Sequence, residues 1–157
     1  MIRVFARPCG KSYNEEHTAA YELLYAAASI MGLKSGRVEK TEGGKPYFPD
    51  AVNTFFSISH GGGYAVVAIG DEICGVDIEG GRKISERIRN RYLDGASEDE
   101  ALLKWTERES KGKLFGGGFF DESQADSIRF RHFSLPPLNI TVCALTENGL
   151  PERLEML

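Results

Sequence analysis

The chain has 157 residues, 41% of them hydrophobic and 27% charged, with a formal net charge of −4. That balance is enough for a real core, as one domain or as two small halves, and it excludes a disordered polymer. No apolar stretch approaches the ~20 residues that cross a bilayer, the start lacks a signal-peptide pattern, and the mild charge gives no whole-chain reason to bind nucleic acid. The chain therefore reads as a cytoplasmic monomer with neither membrane nor nucleic-acid partners.

The pattern at 2–5 predicts a strand, and that at 14–31 a helix capped by Asn14 and stopped by Gly32, with Tyr21, Leu24, Ala28 and Met31 facing inward. Next come Lys45-Pro46-Tyr47-Phe48 and Phe55-Phe56-Ser57-Ile58-Ser59-His60-Gly61-Gly62-Gly63-Tyr64. Pro46 follows Lys45 where a Walker-type loop has Ser or Thr, so this is not such a loop. The run 59–63 still offers a hydroxyl, an imidazole and backbone N–H groups in a glycine-permitted bend, all suited to phosphate oxygens. A lone His60 would equally serve as a turn residue.

β-rich runs at 64–69 and 73–78, separated by Gly70-Asp71-Glu72, read as a hairpin. In Gly75-Val76-Asp77-Ile78-Glu79 the strand period of two puts Asp77 and Glu79 on one side, with Val76 and Ile78 packing behind. Two carboxylates on one face call for a cation, a proton or a basic neighbour, and hard oxygen ligands suit Mg²⁺. The same pair could simply end a strand in water. Arg82, Lys83, Arg87, Arg89 and Arg91 crowd into ten residues against one acid, Glu86, leading into a short helix over 84–93 whose apolar stripe is Ile84, Ile88 and Tyr92.

Ser97-Glu98-Asp99-Glu100 is a capping box opening a helix over 97–113, with Ala101, Leu102 and Trp105 as apolar positions. Glu109 and Lys113, four apart, share one face, a spacing that also makes ordinary surface bridges. The glycines of 116–126 predict a mobile connector, in which Phe115, Phe119 and Phe120 could cover a ligand or meet a partner. Strands at 128–135 and 138–146, separated by Pro136-Pro137, complete an α+β order of elements. Cys9, Cys74 and Cys143 are odd in number, lack paired metal spacing, and read as buried thiols.

Taken in order, Lys45-Pro46-Tyr47-Phe48, Phe56-Ser57-Ile58-Ser59-His60, Gly75-Val76-Asp77-Ile78-Glu79, then Trp105-Thr106 with Glu109 and Lys113, and the glycines from Gly116, the chain resembles the 4'-phosphopantetheinyl transferases. The likeness covers roughly residues 45 to 120, and 138–145 is similar to the family's last strand. It implies two pseudo-equivalent α+β halves, 1–75 and 76–157, each a small antiparallel sheet with a packed helix and with coenzyme A in the cleft between them.

It also implies transfer of the 4'-phosphopantetheine arm of coenzyme A to a serine of an apo carrier protein, releasing adenosine 3',5'-bisphosphate. Asp77, Glu79 and Glu109 would hold Mg²⁺, or Mn²⁺ in its place. Glu109 would also take the serine proton, and Lys113 would support the leaving phosphate. Ser59 and His60 would contact the coenzyme's phosphates, with Lys45 and Arg108 as further coenzyme contacts. An acidic carrier protein would dock on the basic segment 82–91. Ser57, Gly61 and Arg108 stand where Asn, Ser and Lys are common, and Gly112 predicts a loose last turn around Lys113. Arg3, Arg7 and Lys11 are the candidates for nucleotide contacts from the N-terminal part. A non-catalytic coenzyme-binding module and a metal-dependent phosphohydrolase are the alternatives.

Overall fold

The computed structural model describes residues 1–120 and 127–157; residues 121–126 of the expected mobile connector lie outside the described residues. The order is β1 (Arg3–Pro8), α1 (Tyr13–Ile30), β2 (Glu39–Lys40), β3 (Pro46–Tyr47), β4 (Phe55–Gly61), β5 (Tyr64–Gly70) and β6 (Cys74–Gly80), then α2 (Glu86–Tyr92), α3 (Glu98–Phe115), β7 (Arg129–Leu135), β8 (Leu138–Ala144) and β9 (Leu154–Met156). The strands form a sheet of order β4-β5-β1-β9, a second of order β6-β8-β7 and the small pair β2-β3, a mixed α+β architecture.

Alternation along the strands explains the layering. Phe5, Val67 and Ile69 turn to α1, where Ala20, Leu23, Leu24, Ala27 and Ala28 are buried. Val4, Ala6, Val66 and Ala68, on the opposite face, meet Val76, Ile78, Ile140 and Val142 of the second sheet. The first sheet is therefore covered on both faces, and α3 packs on the far side of the second, against β6 and β8.

α1 begins two residues earlier than Asn14 suggests. Ser12 is its cap: the Ser12 hydroxyl accepts from Glu15 N–H while the Glu15 carboxylate accepts from the Ser12 N–H, a reciprocal pair that Asn14 lacks. Tyr21 and Met31, expected to face inward, pack against the core while remaining half-buried.

The expected hairpin of residues 64–78 does not form, because β5 and β6 belong to different sheets. Both edges of β5 are already taken, by β4 and by β1. The hairpin is instead β4–β5, closed by Gly62 and Gly63 with φ of +62° and +84°. Two successive residues in that left-handed region give the turn whose twist suits a two-residue hairpin. In the tail the expected pairing is found, with Leu135 opposite Leu138 across the two prolines. The 75/76 division falls inside β6, and β9 returns to lie parallel to β1.

Ala101, Leu102 and Trp105 of α3 pack, the last two half-buried, in a small cluster with Ile84, Leu93 and Ala96, while Thr106, Ser110, Gly112 and Leu114 are also buried. Small residues bring the helix very close to the sheet. A Cβ on Gly75 would lie 1.9 Å from the Ser110 carbonyl oxygen and 2.9 Å from the Leu114 nitrogen. The last turn is not loose either, since Gly116 and Gly118 N–H groups both donate to the Gly112 carbonyl, at 2.8 and 3.2 Å.

Gly75→Ala is expected to push α3 off β6 and to destabilise the fold by roughly 1–3 kcal/mol, measured as a drop in the urea midpoint with an unchanged slope. A midpoint equal to wild type would show that the helix does not rest on this glycine.

Candidate active site

β6 presents Asp77 and Glu79 toward α3, and β4 presents Ser57 and Ser59 toward β6. Ser57 Oγ accepts from Val76 N–H at 3.0 Å and Ser59 Oγ accepts from Ile78 N–H at 3.3 Å. Hydroxyls thus tie the edge of one sheet to the other where no strand ladder runs. Ser59 also donates to Asp77 Oδ1 at 3.0 Å, and Lys113 Nζ, from α3, donates to the same oxygen at 2.8 Å and to Ser59 Oγ at 2.9 Å. Lys113 therefore reaches across to the strand instead of forming the surface bridge its spacing allows.

Asp77 is 5% exposed, and its second oxygen, Oδ2, is buried with no hydrogen-bond partner among the described residues. Burial raises its pKa, against the pull of Lys113. Burial and then the charge of Asp77 raise Glu109 as well, the Lys113 ammonium opposing. Glu79 is held by Arg82, whose Nε and Nη2 donate to its two oxygens at 3.0 Å each. The Arg82 guanidinium lies 4.5 Å from the centre of the Trp105 ring, a cation–π contact.

Asp77, Glu79, Glu109, Lys113, Ser59 and His60 all line one cleft of about 350 Å³. A narrower hollow of about 210 Å³, lined by Gly43, Gly44, Lys45, Phe56, Gly116 and Gly118, shares Gly44, Pro46, Ile58 and Lys113 with it. No group of three metal-capable side chains among the described residues stands close enough to hold an ion as placed. The donor set nevertheless fits a hard divalent cation: three carboxylates around one cleft, with a buried Asp77 oxygen left unpartnered. An ion held by all three would share Glu79 with Arg82.

Other expected contacts lie elsewhere. Lys45 Nζ donates to the Leu114 carbonyl at 2.7 Å and lies 3.4 Å from that of Cys74, so its ammonium anchors the end of α3 and the start of β6. Arg108, one residue before Glu109, is turned about 100° around the helix and leaves the cleft. Its Nε donates to Phe119 O at 2.9 Å and its Nη1 to Tyr92 O at 3.1 Å. The bend 59–63 offers less than expected, because Gly63 N–H already donates to Glu16 Oε1 at 2.8 Å. Arg3 pairs with Glu155 and Arg7 with Glu22, and neither they nor Lys11 line the cleft. In the basic segment Lys83 pairs with Glu98 at 3.0 Å, and Arg89 donates to Ala96 O at 3.2 Å. Arg87 and Arg91 remain exposed.

The cleft also holds residues that the motifs did not mark: Tyr13, His17 and Tyr21 from α1, and Lys40. Their signal was the fourfold spacing 13, 17, 21, which aligns three rings along one helix face. His17 stacks with Tyr13 at 5.6 Å and meets Tyr21 edge-on at 5.1 Å.

No family model matches the chain. It is similar to two proteins of Bacillus subtilis: 4'-phosphopantetheinyl transferase Sfp, of strain 168, at 30% identity, and 4'-phosphopantetheinyl transferase ffp at 34%. Each alignment spans 105 residues, 59% of this chain and 47% of the relative. The chain thus spans about half the length of the curated relatives it matches, and the resemblance read from its motifs is found in both of them.

The raised carboxylates set a pH dependence. Where Asp77 and Glu109 hold protons more tightly folded than unfolded, the unfolded chain binds fewer protons and stability falls as pH rises. The fall starts near the ordinary carboxylate range, about pH 4, and continues upward through the raised folded values. Urea unfolding with a chelator present, from about pH 4 to about pH 7, is expected to show it, with a shallower decline in Glu109→Gln. Identical slopes in both proteins would remove Glu109 from the coupled cluster.

Proposed function

We propose that the chain is a 4'-phosphopantetheinyl transferase, moving the phosphopantetheine arm of coenzyme A to a serine of an apo carrier protein. The observation that supports this best is the convergence of Asp77, Glu79, Glu109 and Lys113, from one strand and one helix, on a cleft that also contains His60. The similarity to two transferases of that name points the same way.

In this reading the serine Oγ attacks the phosphorus that bears the pantetheine arm. The bridging P–O bond breaks, and adenosine 3',5'-bisphosphate leaves with the electron pair. Asp77, Glu79 and Glu109 would hold Mg²⁺ or Mn²⁺, whose charge offsets that gathering on the pyrophosphate oxygens. Glu109, whose carboxylate has no hydrogen-bond partner among the described residues and a raised pKa, accepts the serine proton. Lys113 leans from Asp77 toward the leaving phosphate. Ser59, committed to Asp77 and Lys113, positions that pair, while His60 faces the phosphates. Arg82, Lys83, Arg87 and Arg91 are the exposed residues of the basic segment on which an acidic carrier would dock, an arrangement that favours encounter rate and orientation.

The two halves, 1–75 and 76–157, would be the coenzyme-binding and the metal- and carrier-binding parts of one monomer acting in the cytoplasm. Among the described residues no helix is long and apolar enough to cross a membrane.

Incubation with coenzyme A, Mg²⁺ and an apo carrier protein is expected to add the phosphopantetheine mass to the carrier. Release of bisphosphate without a carrier would indicate a phosphohydrolase, and coenzyme binding with neither product a non-catalytic module. Asp77→Ala and Glu109→Ala should each lower transfer by roughly a thousandfold while circular dichroism stays native. Full activity in Asp77→Ala would overturn the assignment.

A further inference from the structure

Glu16 lies beside the capping glutamate of α1 and plays a different part. Glu15 spends its carboxylate on Ser12, whereas Glu16 turns inward and is 8% exposed. Its Oε1 accepts from the Gly63 N–H at 2.8 Å, and its Oε2 lies 3.4 Å from His60 Nδ1. One buried carboxylate thus joins the first turn of α1 to the β4–β5 turn and to the imidazole just before it. A sheltered anion with so few donors is costly unless those donors are fixed.

The ring is hemmed in on its other sides. Tyr13 meets His60 edge-on at 5.2 Å with planes at 73°, and His17 does so at 5.6 Å and 85°. The His60 side chain keeps 17% of its exposure, on the cleft that it lines with Ser59 and Lys113. With Nδ1 turned to Glu16, Nε2 is the nitrogen left for a ligand. A carboxylate on one ring nitrogen fixes both the ring's orientation and the position of its proton, as metal-bound histidines show.

We propose that Glu16 is a positioning residue: it accepts from His60 Nδ1–H and orients the ring so that Nε2, protonated in the complex, donates to a phosphate oxygen of coenzyme A. The inference rests on the reading of the cleft as a coenzyme site. At 3.4 Å the Nδ1–Oε2 separation is at the long end of a hydrogen bond.

The test is a thermodynamic cycle on coenzyme A binding, by calorimetry, with Glu16→Ala, His60→Ala and the double variant. Each single change is expected to weaken binding roughly tenfold, and the double to be no weaker than the poorer single, because Glu16 acts through the ring. Independent losses that multiply to about a hundredfold would overturn the proposal.

Nitrogen NMR of the His60 ring gives a readout that needs no ligand. Wild type should show the proton on Nδ1, and Glu16→Ala a redistribution between the two nitrogens; an unchanged spectrum also overturns the proposal. If Glu16→Ala does not fold, Glu16→Gln keeps an acceptor for Gly63 N–H and is expected to change the ring spectrum alone, wild-type behaviour again counting against the idea. A wild-type protein that ignores coenzyme A while its ring spectrum responds to Glu16 would sink the functional reading and leave the positioning intact.

Discussion

The buried Asp77 carboxylate is the constraint around which the cleft is built. Its oxygen receives Lys113 from α3 and Ser59 from β4, so three elements from different layers are tied at one atom. A carboxylate this sheltered costs several kcal/mol unless such partners are in place. Lys113 meets the need only if α3 lies close to β6, and that closeness depends on Gly75 and on the small face of the helix. Lys45 fastens the same helix end by its carbonyl. A single buried charge thus explains why a helix of modest apolar character is held so firmly against its sheet.

What could be read in the sequence followed from periodicity. The two-residue repeat set Asp77 and Glu79 on one face, and the four-residue repeat set Glu109 and Lys113 together; both carried through to one cleft. The Ser97 capping box likewise marked where α3 begins. Errors arose where two local signals competed. Asn14 and Ser12 are both good caps, and the reciprocal Glu15 decides for Ser12. Gly70-Asp71-Glu72 is a plausible turn, but the glycine pair at 62 and 63 forms the hairpin and leaves β6 to another sheet.

Directions of long side chains were the least legible. Lys45 and Arg108 each carry a charge in a family-like motif, yet both ammonium and guanidinium are spent on backbone carbonyls, Lys45 in the hollow beside the cleft and Arg108 away from it. Which carbonyls stand unpaired nearby is settled by tertiary packing, and no local pattern encodes it. The same holds for the arginines of the basic segment: a run of positive charge suggests a free surface, whereas Arg82, Lys83 and Arg89 answer to Glu79, Glu98 and Ala96.

Arg82 shows how the charge of the clustered carboxylates is offset by neighbouring cations. Asp77 has Lys113 and Glu79 has Arg82, which leaves Glu109 as the acid without a direct cationic partner among the described residues. Its pKa is raised accordingly, by burial and by Asp77. A divalent ion with its phosphates would bring charges of both signs into this balance, relieving Glu109 first and competing with Arg82 for Glu79. The Trp105 face offers the displaced guanidinium a resting place with little desolvation to reverse. Cation entry would then be a competition between the ion and Arg82 for one carboxylate. The affinity of the site for an ion would depend as much on the strength of that bidentate Arg82 pair as on the three acids themselves.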